Sequence, residues 1–150
     1  MKTIITDYKN LVARLEQLQP DSKSLWGIMN VNEMIVHVSQ PLSIAVGKLK
    51  GTDESNFFTR TIMKFMALKM MSKIPKGIKA PKDFDVKQNG VALKGFEEDK
   101  KNLFTLMETF KNDTSEYVNR IHPNFGAFNK EEWAIQSYMH LDHHFRQFGV

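Results

Sequence analysis

Apolar side chains recur along this chain at intervals of three and four residues, the spacing of helices that bury one face. Between residues 7 and 18 they are Leu11, Val12, Leu15 and Leu18, and Pro20-Asp21-Ser22 ends the run. A second stretch, 31–47, carries Val31, Met34, Ile35, Val38, Leu42 and Ala45 on one face. Its start is specified twice, since Asn30 and Glu33 stand at the spacing of a capping box and Met29 and Met34 at that of a hydrophobic staple. Pro41 inside it predicts a kink or an earlier end, because proline removes a backbone donor and its ring crowds the preceding turn.

Residues 57–71 are apolar and methionine-rich, interrupted on one side by Arg60, Lys64 and Lys69, which predicts a third helix with its methionine stripe in the core. Pro75, Gly77, Pro81, Gly90 and Gly95 then predict a long irregular crossover. A fourth helix is expected from about 96 to 110, with Phe96, Leu103, Met107 and Phe110 inward. After a loop over 119–126, Asn129 with Glu132 repeats the capping box and Phe128 with Trp133 the staple, so the last helix starts near Lys130. No strand pair with turn chemistry competes with these stretches, and no internal repeat is visible. The pattern is all-α: a four-helix bundle with one long crossover connection and room for a short extra helix.

Composition narrows the chemistry more than the fold. A chain of 150 residues, 41% apolar and 25% charged, is expected to form one helical-bundle domain over 1–150. It has no cysteine, which excludes disulfides and a cysteine nucleophile and leaves nitrogen and oxygen as the metal donors. That composition fits the cytoplasm. Asp7 interrupts the first residues before a leader of apolar residues forms, and the uncharged stretch 34–47 is broken by His37, Gln40 and Pro41, so no membrane span is expected. The net charge of +4 is uneven: seven basic residues and no acidic one between 55 and 82 give +7 there and −3 elsewhere. Aromatic interleaving is sparse in that run, which reads as a solvated basic face and loop with no nucleic-acid partner expected.

The candidate chemistry lies near the C-terminus. His140 and His144 are four residues apart, so at ~3.6 residues per turn their rings stand about 40° apart on one face. Trp133, Ser137 and Phe148 share that sector, which predicts that the two histidines are buried together. Either alone reads as a hydrogen-bonded core histidine; as a pair they point to a metal, which satisfies one lone pair on each. His143 lies about 100° round from His140 toward Gln136 and Gln147 and is expected to be exposed or to support the ligands from outside. His37, at the edge of the second helix's stripe, reads by itself as a core histidine facing a neighbouring helix. His122, before a proline in a loop, reads as structural.

Three segments carry a family resemblance: 26–37 (Trp-Gly-Ile-Met-Asn-Val-Asn-Glu-Met-Ile-Val-His), His122-Pro123-Asn124-Phe125-Gly126, and Glu132-Trp133 with the run from His140 to Gly149. Together they resemble a branch of uncharacterised bacterial proteins in the DinB-like superfamily, over essentially the whole chain. The His-x-x-His-His-x-x-Gln ending is similar to the fourth-helix motif of DinB and YfiT-type proteins, four-helix bundles with a three-histidine metal site. Carried over, the resemblance implies His37, His140 and His144 as ligands, with helical spacing favouring His144 over His143.

Three protein nitrogens leave a position open on zinc, nickel or manganese, the arrangement of a catalytic site. An open metal binds a thiol or water and lowers its pKa toward ~7. The resemblance implies a metal-dependent transferase that adds a low-molecular-weight thiol to an electrophilic small-molecule substrate, and with no cysteine in the chain the thiol must arrive as cosubstrate. Hydrolysis by activated water is the alternative within enzymes, for which Glu33 and Asp142, each within one turn of a ligand, are weak acid/base candidates. A non-enzymatic metal-binding or stress-related bundle that dimerises through apolar surface is the alternative outside them.

Overall fold

The computed structural model describes residues 1–71, 73–78, 82–118 and 120–150. Helix α1 (Tyr8–Gln17) buries Leu11 and Leu15, and α2 (Val31–Ala45) begins at the predicted cap. There the Asn30 side chain accepts from Glu33 N–H and the Glu33 carboxylate accepts from Asn30 N–H, both at 2.9 Å, so two donors left over at the helix start are satisfied reciprocally. Pro41 does not end α2. The helix runs on to Ala45, and Val46 N–H still reaches the Leu42 carbonyl at 2.9 Å.

Helix α3 (Phe96–Asn112) turns Leu103, Leu106, Met107 and Phe110 inward. Helix α4 (Lys130–Gln147) starts at the second capping box, Asn129 with Glu132, again with both bonds at 2.9 Å. Its staple is an edge-to-face contact of Phe128 on Trp133, ring centroids 5.1 Å apart. α2 packs chiefly on α3 and then on α4, while α1 lies against α3 and α4. Trp133, Phe110, Phe145, Leu103, Met34 and Ile35 fill the space between them. The described chain is mainly helical, and none of its helices is long and apolar enough to cross a membrane.

Three expectations need correction. Residues 57–70 are helical, but the methionine stripe is not in the core: Leu68 is the one buried side chain of the turns Thr59–Met63 and Met66–Met70. Those turns are π-helical, wider than the 3.6-residue period assumed from sequence, and few other elements close over them. The second correction is a short antiparallel pairing of Ile121–His122 with Gly126–Ala127 inside the 119–126 loop. Two residues per strand are too few to show alternation in sequence, and the pair is held by tertiary packing. A Cβ on Gly51 would land on the Ile121 carbonyl, so glycine lets the chain after α2 lie against it.

The third concerns α4, which is buried far beyond one sector and covers His143 and Gln147 as well as the predicted face. In the crossover, a 3-10 turn at Lys82–Phe84 supplies a short extra helix and buries Phe84. Pro81 of that crossover, Lys79 of the basic run and Asn119 of the loop lie outside the described residues.

Candidate metal centre

α2 and α4 bring His37, His140 and His144 into one cluster whose ligand atoms lie within 4.8 Å of one another. The i,i+4 spacing sets the two α4 rings edge to face, centroids 4.8 Å apart, and the contact of α2 on α4 supplies the third from more than a hundred residues away. His140 Nε2 is 2.9 Å from His37 Nε2, which is 3.0 Å from His144 Nε2. All three side chains are at most 8% exposed.

The protons on these rings can be placed from their outer partners. His37 Nδ1 stands 2.6 Å from the Phe84 carbonyl oxygen, which only accepts, so Nδ1 carries the hydrogen and Nε2 is a bare lone pair. His144 Nδ1 is 2.7 Å from Gln147 Oε1, and that amide is oriented by its Nε2 donating to the Trp26 carbonyl at 2.7 Å. His144 therefore also carries its hydrogen on Nδ1, and the lone pairs of His37 and His144 face each other at 3.0 Å. A neutral His140 has one proton to give and can satisfy only one of the two Nε2–Nε2 contacts.

These residues could therefore hold a metal ion. Three nitrogens converge, two are fixed as acceptors by partners on their far side, and a cation is the species that all three lone pairs can share. Protonation is no substitute. Burial pushes the pKa of all three rings down, His144 to about 3, with the neighbouring imidazoles adding to the effect on His140 and His144.

Over residues 1–149 the chain matches the family described as Protein of unknown function (DUF1569). The chain belongs to that family. No curated protein and no solved structure matches it.

The other sequence candidates have different places in this DUF1569 fold. His143 is buried, not exposed; its Nδ1 donates to the Ile74 carbonyl at 3.0 Å and its ring stands edge-on to Trp26 and His144. It touches the cluster from outside. His122 is buried against Phe125 and Phe128, accepts from Asn124 N–H through Nδ1 at 3.2 Å, and has its pKa pushed down to about 3 by burial. Glu33 is occupied by its cap. Asp142 takes Arg14 and Arg146 at 2.9 Å each, which also bind α1 to the C-terminus through Arg14 to the Val150 carbonyl.

The basic run is less free than its sequence suggested, because partners come from elsewhere in the chain. Arg60 pairs with Asp53 at 2.8 Å, Lys64 with Glu132 at 2.7 Å, and Lys76 lies over the Trp26 ring. Phe84 and Gln147 are the residues near the cluster that sequence reasoning passed over. Phe84 acts through its backbone, which leaves no side-chain signal, whereas Gln147 stood in the His-x-x-His-His-x-x-Gln run and was read only as part of a polar side.

Proposed function

We propose that this DUF1569 chain holds one divalent transition metal ion, zinc, nickel or manganese, through His37, His140 and His144, in a four-helix bundle of the DinB/YfiT type. The observation that carries the reading is the pair of lone pairs on His37 and His144, turned toward each other at 3.0 Å by hydrogen bonds on the far side of each ring. The packing of α1 and α2 against α3 and α4 supports the bundle, and the resemblance of the histidine run supports the superfamily.

For activity, the proposal is addition of a low-molecular-weight thiol to an electrophilic small molecule. A divalent ion bound here supplies a Lewis acid that lowers the pKa of a thiol or water brought against it. The chain's own contribution is to present three neutral imidazoles, to hold two of them by Phe84 and Gln147, and to keep bulk water out. The choice of a thiol over water rests on the superfamily resemblance; Glu33 and Asp142, the acid/base candidates for hydrolysis, are held in structural bonds through Glu33 Oε2 and both Asp142 oxygens.

One observation favours a second reading, a metal-binding bundle without catalysis. The three histidines are nearly closed off, and neither of the two surface grooves described, one between α2 and α3 and one beside Gly47, is lined by any of them. The deciding experiment loads the protein with metal, measures its stoichiometry, and assays thiols with epoxides, esters and amides while a soaked crystal locates any sulfur. Thiol consumption with sulfur at the ion supports transfer. Ester or amide cleavage without thiol selects hydrolysis, and one tightly bound ion with no turnover selects the non-catalytic bundle.

A further inference from the structure

Gln147 sits where the end of α4 meets the connection between α1 and α2, and it holds both. Its backbone carbonyl accepts from Leu25 N–H at 2.8 Å, its side-chain Nε2 donates to the Trp26 carbonyl at 2.7 Å, and its Oε1 accepts from His144 Nδ1 at 2.7 Å. A carbonyl oxygen accepts and never donates, so turning this amide round would set two oxygens face to face and two N–H groups against each other. Gln147 is 4% exposed, so water does not compete for either end of the amide. Gly27 is next to Trp26, at φ +82°, and a Cβ there would land on Gln147 Nε2.

We infer that Gln147 is a positioning residue for the histidine cluster: its amide, oriented by the Trp26 carbonyl, holds His144 with the proton on Nδ1 and the Nε2 lone pair toward His37. Gly27 is part of the same device, because only a residue without a side chain leaves the amide its place. The functional meaning rests on the metal-binding reading above, while the tautomer it imposes does not. An amide suits the task because it cannot ionise, so it selects the tautomer without bringing charge into a closed site. His37 reaches the same state through a different part of the chain, the Phe84 carbonyl of the crossover. The two rings are thus oriented from different segments of the chain, and disturbing the α1–α2 connection should reach His144 and the Trp26 neighbour His143 while leaving the Phe84 bond of His37 in place.

The test combines nitrogen NMR of the imidazoles in metal-free protein with calorimetric titration of zinc. In wild type, His144 is expected to show a protonated Nδ1 and a bare Nε2. Gln147→Ala should mix the tautomers and weaken zinc about 10- to 100-fold while circular dichroism stays helical. Gln147→Glu, measured where its carboxyl is protonated so that one oxygen donates to the Trp26 carbonyl and the other faces Nδ1 as an acceptor, should retain the tautomer. Gly27→Ala should move both readouts in the direction of Gln147→Ala, whereas Gly90→Ala, also at positive φ (+71°) but with nothing within 4 Å of the new Cβ, should move neither. If Gln147→Ala unfolds the helices, Gln147→Met, of similar length and without a hydrogen-bonding end, takes its place. A His144 that keeps its Nδ1 proton in Gln147→Ala or Gln147→Met overturns the inference. A wild type that takes up no zinc defeats the metal reading instead, and the tautomer comparison still decides what Gln147 does.

Discussion

α4 and the helical stretch 57–70 are both rich in large side chains, and they end in opposite states. Trp133, Ala134, Ile135, Met139, Leu141 and Phe145 of α4 are buried together with three histidines, whereas Phe57 is 83% and Met70 70% exposed. The difference lies in neighbours. α4 is enclosed by α1, α2 and the 66–70 turn, while 57–70 meets the rest of the chain mainly along α4. Burial thus depends on how many elements surround a helix, and apolar content alone does not decide it. It also explains where polar chemistry is concentrated: rings enclosed on every side must be satisfied by specific partners, and those partners constrain their tautomers.

The sharpest way to break the contrast is to remove the cluster. His140→Ala with His144→Ala should abolish measurable binding of a divalent metal by calorimetry, whereas substitutions in 57–70 should leave it unchanged; wild-type affinity in the double variant would place any metal elsewhere. Packing should follow the same line. Trp133→Ala, at 0% exposure, is expected to cost about 3–5 kcal/mol in urea unfolding of the metal-free protein. Metal at roughly a hundred times its Kd should add about 3 kcal/mol to stability through linkage. Chelation should leave a helical circular dichroism spectrum, since the caps and apolar contacts do not need the ion; a random-coil spectrum would make the metal structural.

His122 separates burial from metal binding, because it is as buried as the cluster and has its Nδ1 satisfied by Asn124 N–H. Its folded pKa of about 3 lies below the ordinary value of 6.5, so the unfolded chain takes up the proton first as pH falls. The stabilisation from keeping this ring neutral is therefore complete above pH 6.5 and is lost as pH falls from there toward about 3. Relative to His122→Phe, metal-free wild type should lose roughly 2 kcal/mol between pH 7 and pH 5 in parallel denaturant titrations. A pH-independent difference would mean that the ring is solvated. The smallest effect is expected on the exposed helix, where Phe57→Ser and Met70→Ser should each change stability by no more than about 0.5 kcal/mol. A large loss at either position would show that this face is covered in solution.

Much of the framework was legible in the residues. Both capping boxes, the Phe128–Trp133 staple, the inward positions of α3 and the shared face of His140 and His144 rest on interactions within a few residues, and such interactions are written in local spacing. What spacing cannot carry is the identity of the element on the other side. His37 read alone as a core histidine; only the packing of α2 on α4 sets its Nε2 between the other two. His143 and Gln147 sat on what a helical wheel assigned to the polar side, and the α1–α2 connection and the crossover cover that side through Trp26 and Ile74. The stripe at 57–70 failed the opposite way, apolar by sequence and left open because too few elements close over it. By itself the sequence determined where helices start, which face of each is apolar and which two imidazoles share a turn, because those are consequences of backbone geometry over a few residues. The tertiary structure alone decided which faces are covered, how His37, the third ligand that the family resemblance implied, meets the pair, and which nitrogen of each ring is bare, because these depend on contacts between residues dozens to more than a hundred positions apart.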